Sequence, residues 1–68
     1  MGGHMTKDER NAMIDVQLKQ YEQKMFQLEM NKTAVLANGD EECAKDIEVR
    51  IEALRKAFTA VEGMKEEI

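Results

Sequence analysis

The strongest constraint on this chain is an apolar repeat in its second half. Ile47, Ile51, Leu54, Phe58 and Val61 recur at spacings of four and three. Ala44 leads into the series and Ile68 continues it, with Lys65 as the one polar member. This is the rhythm of an a/d heptad seam, and such a seam is stable only against another helix.

The first half supplies a matching seam. Ile14, Leu18, Tyr21, Met25, Leu28, Lys32 and Val35 follow the same alternation of four and three. On a helical wheel these residues share a stripe about 100° wide, enough to form one side of a core. Lys32 is the polar exception; its stem can pack while its ammonium reaches water. Thr6 and Glu9 form a capping box for the start of this helix. No breaker follows until Ala37-Asn38-Gly39-Asp40. There Gly39 or Asn38 can take the left-handed conformation, and Asp40 can cap the next helix.

The expected fold is all-α. It is an antiparallel, coiled-coil-like hairpin, with helix 1 over about 7–36, a connection over about 37–40, and helix 2 over about 41–66. So short a connection makes the helices adjacent neighbours. Pairs at i,i+4 (Asp15–Lys19, Glu41–Lys45, Asp46–Arg50, Glu52–Lys56) would support both helices. Gly63 weakens the last turns, which should fray, with Met64 and Ile68 able to dock the tail. The leader Met1-Gly2-Gly3-His4 reads as an expression remnant, leaving residues 5–68 as a single domain.

A hairpin of this size has a marginal core. One cysteine, Cys43, cannot form an internal disulfide, and no structural metal site is visible. Association is the remaining remedy. Helix 2 is apolar beyond its seam, through Val49, Ala53, Ala57, Ala60 and Met64. Helix 1 carries a stripe of Val16, Gln20, Gln23, Gln27 and Met30, with Phe26 and Met13 flanking it. These residues are the expected oligomer or partner interface, and the expected assembly is a homodimeric four-helix bundle.

The composition argues against catalysis. Once His4 is set aside no histidine remains, and there is no serine and no glycine-rich phosphate loop. No catalytic residue, metal ligand or cofactor is expected. The net charge is −4, with no basic cluster, which disfavours nucleic acid. No apolar run is long enough to span a membrane. A free thiol without a secretory signal points to the cytoplasm.

In its expected architecture, and in the opening Met5-Thr6-Lys7, the chain resembles the Rop family of small plasmid RNA-binding hairpins. That resemblance implies a dimeric bundle and RNA binding through helix 1. Of the positions that would bind RNA, only Lys7 matches; the others fall on Ile14, Leu18, Glu22 and Glu29. The expected function is therefore a non-enzymatic protein-interaction module, such as a phage, plasmid or bacterial accessory protein acting on a partner protein. Two alternatives are Rop-like RNA binding through Lys7, Arg10, Lys19 and Lys24, and a small ligand held between protomers.

Overall fold

A computed structural model describes residues 5–66. The leader 1–4 and Ile68 lie outside the described residues. Two helices pack side by side: α1, Lys7–Ala37, and α2, Glu41–Glu62. Together they form a rod with extents of 56 × 21 × 15 Å.

The helix ends follow from local hydrogen bonding. The Thr6 hydroxyl accepts from the Glu9 amide at 3.1 Å, and Glu9 Oε1 accepts from the Thr6 amide at 2.8 Å. Two of the amide donors that a helix start leaves without partners are thereby satisfied. At the other end, Gly39 takes φ = 77°, a conformation that costs other residues a clash at Cβ. The Gly39 amide donates to the Leu36 carbonyl, and the Asp40 amide to the Val35 carbonyl, each at 2.9 Å. This is the Schellman closure. Asp40 has a second role, since its Oδ1 accepts from the Cys43 amide at 3.1 Å and caps α2. One residue ends the first helix and starts the second, which turns the chain back sharply.

The least exposed apolar residues are Ile51, Ala44, Ile47 and Leu18. Ile14, Tyr21, Met25, Leu28 and Val35 of α1 are half-buried, as are Leu54, Phe58 and Val61 of α2. The core therefore lies along the line where the helices meet and is tightest toward the turn. Lys32 lies in that line too. Its ammonium reaches across to Glu48 Oε1 at 2.6 Å.

Three features depart from the sequence reading. First, α2 ends at Glu62, four residues earlier than expected. The Met64 and Lys65 amides bond to the Val61 and Glu62 carbonyls, a three-residue spacing tighter than an α-turn. Gly63 thus ends the helix; it does not merely loosen it.

Second, the tail does not dock through Met64, which is exposed. It is held by Asn11, whose side-chain amide donates to the Glu66 carbonyl at 2.7 Å. The Asn11 carbonyl oxygen accepts from the Glu66 amide at 2.9 Å.

Third, none of the four expected i,i+4 ion pairs forms among the described residues. Asp15 pairs instead with Lys65 at 2.8 Å, and Glu52 with Arg55 one residue nearer. Exposed pairs at i,i+4 are worth only about 0.3–0.5 kcal/mol, so a cross-helix partner readily replaces them.

Candidate interaction surface

The two long grooves beside the helix–helix seam have different chemistry. One is lined by Glu29, Lys32, Thr33 and Leu36 from α1 and by Ala44, Lys45, Glu48, Ile51 and Arg55 from α2. It is strongly charged, and the Lys32–Glu48 bridge crosses it. The hydrogen bond from Lys32, reinforced by its charge, holds the Glu48 carboxyl below the usual carboxylate range.

The opposite groove holds fewer charges, the two cations Lys24 and Arg50, and no acidic side chain. Gln17, Gln20, Tyr21, Gln23, Lys24, Gln27 and Leu28 line it from α1, and Arg50, Ala53 and Leu54 from α2. Ala57 follows Ala53 by four residues, while Ala60 lies with Glu52, Arg55, Lys56 and Thr59. Lys24 and Arg50 form no ion pair among the described residues. Four glutamines make most of the α1 wall, and Arg50, Ala53 and Leu54 make the other.

The expected interface residues do not form one face. Gln20, Gln27 and Ala53 border the glutamine-lined groove, with Ala57 one turn further along α2. Gln23 borders it too, whereas Val16 and Met30 stand on the side of α1 turned away from α2, and Val49 lies on the outer side of α2. Val16 is 59% exposed, Met30 45% and Val49 69%. Phe26 and Met13 are exposed as well. The hairpin therefore offers two separate surfaces: a groove between its helices and an apolar-spotted ridge on the back of α1.

The open end of the hairpin was not anticipated as a site. Arg10 Nε donates to Glu66 Oε2 at 2.7 Å, and its Nη1 donates to the Met5 carbonyl at 2.7 Å. The hydrogen bond from Arg10 keeps the Glu66 carboxyl below the usual range and correspondingly raises the guanidinium above its own. Asn11 is the only polar side chain among the described residues that is buried, at 7% exposure. A signal for it was present in the sequence: Asn11 precedes Ile14 by three and so extends the α1 seam by one step.

The residues available for RNA contact are dispersed. Arg10 is engaged by Glu66 and Met5. Lys19 and Lys24, five residues apart on one helix, project to different sides. Cys43 is a half-buried free thiol. Among the described residues no three His, Cys, Asp or Glu side chains converge where a metal could be held. No described helix is long and apolar enough to cross a membrane. Comparisons with protein-family models, with curated proteins and with solved structures each gave no match to this chain.

Proposed function

We propose that this chain is a non-enzymatic protein-interaction module that works as a homodimeric four-helix bundle. The observation that carries the proposal is the incompleteness of the single hairpin. Among the described residues no large side chain is fully sealed from solvent, and the seam residues Tyr21, Leu28 and Leu54 beside the groove are only half-buried. A stable core needs sealed side chains, because burial of apolar area is the main favourable term in folding. A second hairpin laid over the glutamine-lined groove would cover Leu28, Ala53 and Leu54. The back of α1 would remain free, where Val16 and Met30 offer apolar area to a different protein.

Light scattering after gel filtration, over a concentration series, tests the first half of the proposal. The expected mass is twice that of the 7.8 kDa chain. A mass equal to one chain at every concentration would overturn it.

A further inference from the structure

The back of α1 carries a third row with the rhythm of the two seams. Ala12, Val16, Lys19, Gln23, Phe26 and Met30 alternate at spacings of four and three. All six are exposed, Phe26 at 61%, and Gln23 also borders the groove. A helix with an a/d row on its outer side is patterned for two neighbours, and α2 is only one of them. This inference rests on the free back of α1 proposed above and names the chemistry of what covers it.

One edge of the row carries charge of a single sign. Asp15, Glu22 and Glu29 recur along it at intervals of seven. Side chains three and four apart on a helix are neighbours, so Phe26 shares a face with both Glu22 and Glu29. Asp15 is bridged to Lys65, but Glu22 and Glu29 form no ion pair among the described residues. The cations on that flank of the hairpin are already engaged, Lys32 by Glu48 and Arg55 by Glu52. The other edge of the row holds the uncharged Gln20 and Gln27. The row thus joins apolar anchors at Val16, Phe26 and Met30 to two unmet carboxylates on one side.

A second copy suits this row poorly. In an antiparallel pair of helices each edge lies against its own kind, so the acidic edges of two copies would meet. In a parallel pair the two Lys19 ammonium groups would share one layer. Flanking charges decide both partner and orientation in helix pairs of this kind. The complementary surface is a different helix, with apolar residues at the same spacing and Lys or Arg along one edge. An Arg in that position would lay its guanidinium against the Phe26 ring while donating to a carboxylate. From Ala12 to Met30 the row rises about 27 Å, at about 1.5 Å per residue, which is the length of five helical turns.

We infer that the back of α1 docks an amphipathic helix of another protein, with apolar residues at heptad spacing and basic residues along one edge. Two fluorescent peptides of about 20 residues, long enough to span the row, serve as probes. They share the same leucine heptads and differ along one edge, which is Lys in one and Glu in the other. Anisotropy titrations against the full chain read binding, and light scattering reads the mass of the same samples. The Lys-edged peptide should bind, less tightly as salt rises, and the Glu-edged peptide should not. Phe26→Ala should weaken that binding at least about tenfold, as loss of an aromatic anchor does. Glu22→Gln with Glu29→Gln should weaken it about threefold or more, the scale of exposed ion pairs. Melting should be unchanged in both variants, because these side chains are exposed. Equal binding of the two peptides, binding of neither, or variants that bind as the wild type does would overturn the inference. A dimer mass beside any of those results leaves the dimeric module standing, whereas a monomer mass overturns the dimer whatever the peptides do.

Discussion

The carboxamide of Asn11 binds both backbone groups of Glu66, donating to its carbonyl and accepting from its amide, as a neighbouring strand would. This pair closes the end of the hairpin opposite the turn. It explains why a polar side chain sits at a seam position of α1: the segment it meets is no longer helical and has backbone groups to satisfy.

Replacing Asn11 with Ala should leave the Glu66 backbone groups without their partner. The expected loss is about 1–2 kcal/mol, or a fall in Tm of about 4–16 °C for a domain of this size. Thermal melts followed by circular dichroism measure the loss, and hydrogen exchange at the Glu66 amide should quicken in parallel. Unchanged exchange at that amide would mean that the clasp does not hold in solution.

Acid should loosen both ends of the hairpin. The Glu48 and Glu66 carboxyls are held below their ordinary range by hydrogen bonds from Lys32 and Arg10. Their stabilisation is present above the unfolded-state value of about 4.3 and is lost as pH falls through the lower folded values. Tm should therefore drop as pH falls below about 4.3. Glu48→Gln and Glu66→Gln should each flatten that drop. A wild-type Tm that is constant through this range would contradict the pairing.

Gln27 lines the groove, whereas Val16 stands exposed on the back of α1. Gln27→Glu places a carboxylate in the groove proposed for self-association and should weaken the dimer at least tenfold, as read by sedimentation. Val16→Glu alters only the back of α1 and should leave the mass unchanged. Equal effects would mean that the two surfaces are one.

Gly39 is the only described residue with a positive φ, and nothing lies within 4 Å of where a Cβ would project. The cost of Gly39→Ala should therefore be conformational, about 1–2 kcal/mol. Gly63→Ala meets only ordinary contacts, at 3.5 Å from the Ala60 carbonyl oxygen, and its φ of −66° suits any residue. Its melt should match or exceed that of the wild type.

Much of this fold was legible from spacing and cap chemistry. The capping box at Thr6 and Glu9, the dual role of the Asn38–Asp40 connection and the two interlocking seams are all short-range patterns, and short-range patterns carry their own geometry. The tail was not legible in the same way. Helix periodicity continued past Gly63 through Met64, Lys65 and Ile68, and the competing bonds came from Asn11 and Asp15, more than forty residues away in the chain. The contrast between the two grooves was only partly legible. The Gln and Ala rows were visible separately, but which of them share a side depends on the register between helices, and the Lys32–Glu48 bridge reveals it.

The placement of the clasp bears on how the hairpin opens and closes. Lys32 and Glu48 are 16 residues apart in the chain, whereas Asn11 and Glu66 are 55 apart. Contacts near the turn close the shorter loop and can form first, and each later pair is brought nearer by those already made. Folding should run from the turn outward like a zip, with the Asn11–Glu66 pair as the last tooth to engage. The same pair is then the first to part, so the native protein should open most often at that end while the turn remains shut.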